Sequence, residues 1–378
     1  TLTLDGSQLS NQTITGAGNI TVNASGVTDL SSITNNLTGT LTINDSSNSD
    51  TITGTNGSEI VNLNAGGSDS VNTADGNDTI NLAQNVTSIN GGAGNSDTLN
   101  VTTTATITSL SNVEILDIQA TNDLSAYDLS DVNSLDVNNN NGASSITATM
   151  TLVQYNALGS SNITKGSDDN IALTNVNGNI TSNDLSDATS ISLSADTTMT
   201  VNQVNQFDGN ITKNGFEITV LDTASQIEGN IISLLASGVD TVDASDTNLD
   251  VTVAEASSSM KFTAGDNITL SDTNANFVGV DFVALKAKGI DRVDESTGNS
   301  ITVDVSQALA GITFVDTTVI VSDTQTAIQN ADFTALKTAG VDIVDSTNDV
   351  LNVNTTQATA GIDFVTGDAV TVVDTANN

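Results

Sequence analysis

Five acidic residues in the first third of the chain recur at intervals of 9, 10, 9 and 19 residues, with glycine-rich turns between them. Each acid stands two positions before an aliphatic residue. The acids are Asp50, Glu59, Asp69, Asp78 and Asp97, and the aliphatic residues are Ile52, Val61, Val71, Ile80 and Leu99. A glycine turn, an acid and an aliphatic residue at a period near nine are typical of a parallel β-roll that binds Ca²⁺ in its turns.

Each residue type in this pattern has a role in the predicted chemistry. A glycine-rich turn reaches backbone conformations with positive φ and so exposes carbonyl oxygens. The acid adds a hard anionic oxygen, which Ca²⁺ prefers, whereas the strict octahedron of Mg²⁺ suits carbonyl-rich loops less well. A metal-free ladder of asparagine and glycine turns is the alternative. The predicted metal-site residues are Asp50, Glu59, Gly67, Asp69, Asp75, Gly76, Asn77, Asp78, Gly92, Gly94 and Asp97.

The charge of the chain is strongly one-sided. The 378 residues include 45 acids and 7 bases, a formal net charge of −38, and residues 1–164 hold fifteen acids and no base. A compact fold with this imbalance repels itself, and divalent cations bound by oxygen ligands would relieve the repulsion. Nucleic acids and anionic membrane surfaces are excluded as partners because both attract basic proteins.

Several residue types are missing from the sequence. It contains no Cys, His, Pro or Trp, which excludes disulfides, thiol chemistry and the commonest general base. No apolar run approaches the ~18 residues of a membrane-spanning helix, so we expect no membrane insertion. The sequence opens Thr-Leu-Thr-Leu, without a Met or a signal peptide, and we interpret the chain as an excised or processed piece of a longer protein.

The polar composition raises the alternative of disorder, but alternating triplets such as Thr-Ile-Thr and Val-Asn-Leu favour strands. In residues 1–44 we predict short strands at 1–5, 13–15, 19–23 and 40–44, with a turn at Asn35-Asn36. The fold class is therefore predicted as all-β, a parallel β-roll or β-solenoid with short helices in C-terminal repeats. The predicted segments are an N-terminal β segment (1–44), the Ca²⁺-binding roll (45–105), an irregular β-solenoid continuation (106–218) and three repeats of about 51 residues (219–378).

The repeats are defined by a recurring Gly-Val-Asp-x-Val-Asp segment. It begins at Gly238, recurs as Gly289-Ile290-Asp291-Arg292-Val293-Asp294 and begins again at Gly340. We predict that each glycine caps a short helix, at 231–237, 282–288 and 333–339, and that three short strands follow. The acid pairs are Asp240 and Asp243, Asp291 and Asp294, and Asp342 and Asp345. They suit either Ca²⁺ between stacked units or, as we favour, turn capping by local backbone hydrogen bonds. Lysine and arginine nearby are expected to form exposed ion pairs of little energetic value.

The sequence resembles RTX-type bacterial surface proteins, most of all surface-layer proteins of Gram-negative bacteria. Three features carry the resemblance: the glycine–acid ladder, a strand predicted at 112–118 and the Gly-Val-Asp-x-Val-Asp units. The resemblance implies a secreted, non-catalytic, Ca²⁺-dependent structural protein on the bacterial cell surface. It would assemble with copies of itself into an array or filament, and a cell-surface polysaccharide is a further expected partner.

Three other functions are alternatives to a surface-layer role. An adhesin stalk or tip that binds cells or glycans would use the same roll. A polysaccharide-cleaving enzyme needs one convergent acid cluster, whereas these acids recur at the repeat period. Ice binding needs evenly spaced threonine rows, and these triplets are unevenly spaced, so threonine is better explained as a strand residue on a solvated face.

Overall fold

A computed structural model describes residues 1–9, 11–139 and 144–373. Within this part of the chain short strands dominate, joined by short helices and by 3₁₀ turns at Gly6–Gln8 and Ser160–Asn162. The strands are β1 (Leu2–Asp5), β2 (Thr13–Gly16), β3 (Ile20–Asn23), β4 (Val27–Asp29), β5 (Thr34–Leu37), β6 (Leu41–Asn44), β7 (Thr51–Thr53), β8 (Glu59–Leu63), β9 (Asp69–Asn72), β10 (Thr79–Leu82), β11 (Val86–Asn90), β12 (Thr98–Val101), β13 (Ile107–Ser111), β14 (Ile115–Ile118), β15 (Asn122–Asp123), β16 (Ser134–Val137), β17 (Thr147–Thr151), β18 (Ile163–Lys165), β19 (Asn170–Asn179), β20 (Ser190–Met199), β21 (Ile211–Thr212), β22 (Ile218–Asp222), β23 (Thr241–Ala244), β24 (Asn248–Val251), β25 (Lys261–Phe262), β26 (Asn267–Asp272), β27 (Ile290–Glu295), β28 (Ser300–Val303), β29 (Thr313–Phe314), β30 (Thr318–Asp323), β31 (Ile343–Ser346), β32 (Val350–Val353), β33 (Asp363–Phe364) and β34 (Ala369–Val372).

The helices are all short. They are α1 (Leu152–Leu158), α2 (Val201–Gln206), α3 (Ala224–Ile227), α4 (Ile231–Ala236), α5 (Val253–Ser257), α6 (Asn274–Phe277), α7 (Phe282–Ala287), α8 (Val305–Ala308), α9 (Gln325–Asn330), α10 (Phe333–Thr338) and α11 (Thr355–Ala358). No helix in the described ranges is long and apolar enough to cross a membrane.

The chain divides into two compact units. The N-terminal unit comprises residues 1–195 and 209–216, and the C-terminal unit comprises residues 196–208 and 217–378. The segment boundaries predicted at 45, 106 and 219 stay predictions.

In the N-terminal unit the chain alternates between two parallel sheets. Successive strands from β6 to β14 belong in turn to a nine-stranded sheet, ordered β1-β3-β6-β8-β10-β12-β14-β16-β18, and a five-stranded sheet, ordered β13-β11-β9-β7-β4. Two smaller parallel groups, β2-β5 and β15-β17-β19, belong to the same unit. This arrangement confirms the coarse prediction of an all-β fold with parallel sheets, consistent with a β-solenoid.

The register of the nine-stranded sheet aligns its aliphatic side chains into one buried row. Each strand of this sheet from β3 to β16 contributes one residue to the row, and each of these residues is at most 1% exposed. The row is Val22, Ile43, Val61, Ile80, Leu99, Leu116 and Leu135. Strands this short bury an apolar face only by stacking on neighbouring coils, so the core is continuous along the stack.

A second row of the same sheet consists of asparagines. The Asn62 side-chain amide donates to the Asn44 Oδ1 at 2.9 Å, the Asn81 amide to Asn62 at 2.8 Å, and the Asn100 amide to Asn81 at 2.8 Å. Side-chain hydrogen bonds between adjacent strands contribute to sheet stability, and these bonds hold four successive coils in register.

The C-terminal unit repeats one pattern three times. Helices α4, α7 and α10 each end before a glycine with positive φ, at Gly238, Gly289 and Gly340. The strands β23, β27 and β31 follow. These strands belong to parallel groups ordered β20-β22-β23-β25, β24-β26-β27-β29 and β28-β30-β31-β33, with β32-β34 at the end. The glycine-capped helices are confirmed, although each ends one residue earlier than predicted.

Three local predictions were wrong. Residues 35–36 form the middle of β5 rather than a turn. Residues 112–118 are not one strand: β13 ends at Ser111, and Asn112 adopts a φ of 51° before β14 begins. Each C-terminal repeat has additional helices between its strands. Helix α8, for example, begins at a capping box in which the Asp304 side chain accepts from the Gln307 N–H, a local signal that outweighs strand propensity.

We expect truncation of the buried aliphatic row to destabilise the N-terminal unit. Leu99 is fully buried, and Leu99→Ala should lower the free energy of unfolding by about 2–5 kcal/mol in chemical denaturation. The control is Val27→Ala, whose side chain is 81% exposed and whose loss should change the free energy by less than ~0.5 kcal/mol. Equal effects of the two substitutions would contradict the described core.

Candidate metal centre in the turns of the N-terminal unit

The five acids of the predicted ladder are all buried. Each is at most 2% exposed, although an unpaired carboxylate is costly to remove from water. Asp50 precedes β7, Asp78 precedes β10 and Asp97 precedes β12, while Glu59 and Asp69 open β8 and β9. The acids therefore sit where glycine turns enter strands. Glu59 lies in register with Leu41 of β6, so a carboxylate there occupies a position that is apolar in the preceding coil.

Hydrogen bonds from backbone N–H groups to carboxylate oxygens link the acids of successive coils. The Asp50 N–H donates to the Asp69 Oδ1, and the Glu59 N–H donates to the Asp78 Oδ1, both at 2.7 Å. The Asp78 N–H donates in turn to the Asp97 Oδ1 at 2.7 Å. Acids 19 residues apart thus form two rows, one through Asp50 and Asp69 and the other through Glu59, Asp78 and Asp97.

Protein donors satisfy three of the five acids. The Asp50 carboxylate accepts from the N–H groups of Gly26 and Ser46, each at 2.6 Å. The Asp69 Oδ2 accepts from the Gln84 side-chain amide. Glu59 accepts from the Thr55 N–H and hydroxyl and from the Asn35 amide. Burial still raises the pKa of Glu59 and Asp69, partly offset by these hydrogen bonds.

Asp78 and Asp97 differ from the other acids because one of the two carboxylate oxygens in each residue lacks a well-formed hydrogen bond. The Oδ2 atoms of both residues are buried without a well-formed hydrogen bond. Burial, reinforced by the Glu59 and Asp97 carboxylates, raises the pKa of Asp78 to about 7, although the nearby Thr73 hydroxyl opposes the shift. Burial and Glu114 raise the pKa of Asp97, and the nearby Gly94 N–H opposes that shift. A buried carboxylate oxygen of this kind needs a proton, a cation or a water molecule as its partner.

Main-chain carbonyl oxygens approach the same place. A methyl group built on Gly94 would overlap the Gly76 carbonyl oxygen and both carboxylate oxygens of Asp97, so these oxygens converge on the Gly94 Cα. Gly76 itself has a φ of +133°, a conformation open only to glycine. The geometry thus brings together Asp97, Gly76 and Gly94 of the predicted site, and Asp78 is joined to Asp97 through its backbone N–H.

Other predicted site residues lie outside this buried group. The side chains of Asp75 and Asn77 are exposed, and the Asn77 Oδ1 accepts from the Asn95 N–H at 3.1 Å. Gly92 approaches the carbonyl of Ala74 instead, and Gly67 belongs to the other row of turns, where it approaches the Asn48 carbonyl.

The side chains alone do not form a multidentate centre. In residues 1–9, 11–139 and 144–373, no group of three or more His, Cys, Asp and Glu side chains is positioned to hold a metal ion. A cation at Asp78 and Asp97 would therefore take most of its ligands from main-chain carbonyls and water, which Ca²⁺ accepts at coordination numbers of 6–8.

Sequence reasoning missed one member of the row. The Glu114 Oε2 accepts from the Asp97 N–H at 2.9 Å, which extends the hydrogen-bonded row into the next coil. A signal was present, because Glu114 stands two positions before the inward-facing Leu116. It was overlooked because no glycine turn precedes Glu114.

Comparisons with known proteins identify no relative. No family model matches the chain, and no curated protein or solved structure is significantly similar to it.

We expect the metal-free protein to lose stability as the pH rises. The pKa of Asp78 is about 7 in the folded chain against 3.8 for an ordinary aspartate. Its contribution to the free energy of unfolding is therefore complete below pH ~4 and is lost as the pH rises through about 7. Asp78→Asn should flatten this dependence in thermal unfolding with chelator present. Asp75→Asn, a change at an exposed acid of the same turn, should leave the dependence intact, and a flat wild-type profile would refute the assignment.

Gly94→Ala should damage the turn. Its methyl group would overlap the Gly76 carbonyl and Asp97, so we expect a loss of about 1–3 kcal/mol in the free energy of unfolding. The matched control is Gly18→Ala, because a methyl group on Gly18 meets no atom within 4 Å. A Gly94 variant as stable as the Gly18 variant would show that the turn has room for a side chain.

Proposed function

We propose that this chain is a non-catalytic, Ca²⁺-dependent structural protein that assembles with copies of itself on the exterior of a bacterial cell, as a surface-layer or filament subunit. The N-terminal unit would be a closed β-roll with Ca²⁺ in its turns. The observation that carries the proposal is the pair of buried oxygens without well-formed hydrogen bonds at Asp78 and Asp97 in a chain of net charge −38.

The choice of Ca²⁺ rests on ligand chemistry. The available ligands are carboxylate and carbonyl oxygens, which are hard donors suited to Ca²⁺ and Mg²⁺. Ca²⁺ tolerates irregular geometry and longer metal–oxygen distances, whereas Mg²⁺ demands a near-ideal octahedron. Bound Ca²⁺ would neutralise the raised-pKa carboxylates and remove the need for protons at neutral pH.

Self-assembly is supported by the repeating strand pairing of the coils. Strands of the nine-stranded sheet pair in parallel from one coil to the next, and strand pairing of this kind can also extend from one copy of a chain to another. The resemblance of the sequence to RTX-type surface-layer proteins supports the same proposal, with a cell-surface polysaccharide as the expected attachment partner.

A scaffold role is favoured over catalysis by the spacing of the buried acids. Within each of the two rows they recur once per coil, joined by equivalent hydrogen bonds of 2.7 Å, whereas an active site needs a unique set of converging groups. A repeated element of this kind suits a stack whose coils all need the same ion.

Calcium titration of the purified chain tests the proposal. Millimolar Ca²⁺ should raise the melting temperature and produce ordered assemblies in electron micrographs, and EDTA should reverse both. A site saturated at about 100 times its Kd adds about 2.7 kcal/mol to the free energy of unfolding. The double variant Asp78→Asn with Asp97→Asn should lose much of this gain, while Asp75→Asn should retain it.

Three outcomes would count against the proposal. A melting temperature and an assembly state that EDTA leaves unchanged would exclude dependence on Ca²⁺. A chain that stays monomeric in Ca²⁺ but binds cells or glycans would be an adhesin. Turnover of a polyuronate would identify an enzyme.

A further inference from the structure

Arg292 occupies the variable position of the Gly-Val-Asp-x-Val-Asp motif. The same position is Thr241 in the preceding repeat and Ile343 in the following one, whereas the acid two positions later is present in all three repeats. Stacking of the repeats therefore does not require a base at this position. Arg292 is also the only arginine in a chain with 45 acids.

Arg292 and Asp294 lie on the same, outward face of β27. Val293 between them is fully buried, and successive side chains of a strand point to opposite faces of the sheet. Arg292 is in register with Thr269 of β26 on one side and with Thr313 of β29 on the other. The base and the acid are therefore neighbours along one strand, and uncharged threonines flank the base across the sheet.

Neither charge has a partner within the described part of the chain. No ion pair and no side-chain hydrogen bond in residues 1–9, 11–139 and 144–373 involves Arg292 or Asp294, and the Arg292 Nε is buried without a hydrogen-bond partner. A guanidinium cannot be deprotonated in a protein, so water can satisfy its N–H groups but leaves its charge in place. The charged neighbour of Asp294 is another acid, because burial and, to a smaller extent, Asp294 raise the pKa of Asp316.

The lysines of the same unit show the contrast, because each of them is engaged within the chain. The Lys288 ammonium donates to the carbonyl oxygens of Ala256 and Ser258. The other three form ion pairs, Lys261 with Glu217, Lys286 with Asp291 and Lys337 with Asp342. These pairs are partly exposed, as expected, and contribute little to stability. Among the described bases of the C-terminal unit, Arg292 alone is left without a partner.

The first acids of the motif are also engaged, in a way that corrects the interpretation favoured from the sequence. Each accepts a hydrogen bond from a backbone N–H that lies 22 or 23 residues earlier, in the preceding coil. The pairs of donor and acceptor are Ile218 with Asp240, Ile268 with Asp291, and Val319 with Asp342. These acids fasten one coil to the next rather than cap a local turn.

A base and an acid side by side on one sheet face form a self-complementary patch. Two copies related by a two-fold axis would place Arg292 of each copy against Asp294 of the other, so that one patch supplies two equivalent ion pairs. The patch itself is neutral, whereas the chain has a net charge of −38. A second copy therefore meets less repulsion here than at a face that contains acids alone.

We propose that the outward face of β27 is a contact between two copies of this chain, in which Arg292 of each copy binds Asp294 of the other. The planar guanidinium suits this role because it pairs with a carboxylate through two parallel hydrogen bonds. An acidic glycan fits less well, since Asp294 and the net negative charge would both repel it. The inference rests on the proposed self-assembly and names one of its contacts.

Charge reversal at the two positions tests the contact in the full chain. Arg292→Glu and Asp294→Arg should each weaken self-association in millimolar Ca²⁺ by about tenfold or more, measured by sedimentation equilibrium, because each brings like charges together. An equimolar mixture of the two variants should associate as the wild type does, since each supplies the charge that the other lacks. The double variant, with both reversals in one chain, should also associate with itself.

Two further variants separate association from folding and from net charge. Arg292→Thr introduces the residue found at position 241, so it should keep the wild-type melting temperature and still lose the association. Lys337→Glu changes the net charge by the same amount as Arg292→Glu, but at a base that has its own partner in Asp342. It should leave the association unchanged.

Wild-type association in Arg292→Thr, or a mixture of the two reversed variants that fails to associate, would overturn the proposal. If the wild type assembles in Ca²⁺ and the Arg292 variants assemble equally well, this contact alone is wrong. A wild type that stays monomeric in Ca²⁺ would overturn the proposed self-assembly together with the contact. Binding of a soluble polyuronate that Arg292→Thr loses, with self-association unchanged, would show that the guanidinium serves a glycan instead.

Discussion

The structure depends on burying carboxylates inside a stack of parallel coils. The N–H that opens one strand is satisfied by the side chain of an acid one coil further along the chain, at Asp69, Asp78 and Asp97. A charged acceptor makes a stronger hydrogen bond than a neutral one, so the acids connect the coils firmly. The cost is the desolvation of negative charge, and residues 1–164 contain no lysine or arginine to neutralise it.

The acids of the ladder meet this cost in two ways. The carboxylates of Asp50, Glu59 and Asp69 are surrounded by donors from the protein. These donors are nearby N–H groups and the side chains of serine, threonine, asparagine and glutamine. At Asp78 and Asp97 one oxygen is left without a well-formed hydrogen bond. The ladder therefore contains acids whose hydrogen bonding is complete within the protein beside acids whose charge needs an external partner.

The sequence predicted the fold best where side chains alternate and turns contain glycine. The strands near residues 41–44 and 51–53 and the glycine-capped helices follow directly from such signals. Within the site, spacing alone identified the five buried acids but could not separate satisfied from unpartnered oxygens. That difference depends on donors such as Gln84 and Gly26, which are distant in sequence from the acids they contact. Glu114 was missed for a related reason, since no glycine turn precedes it.

The asparagine row has a consequence for how such a chain can change in length. Each amide points toward the previous coil, and the contacts join residues 18 or 19 positions apart. Removal of one complete 19-residue coil would bring Asn100 next to Asn62 and Leu99 next to Val61, so the contacts of the asparagine row and of the aliphatic row would be replaced by equivalent ones. A deletion of ten residues would instead place turn residues where amides and aliphatic side chains belong. Viable length variants of this stack should therefore differ by whole coils, and natural size variation should be quantised in the same way.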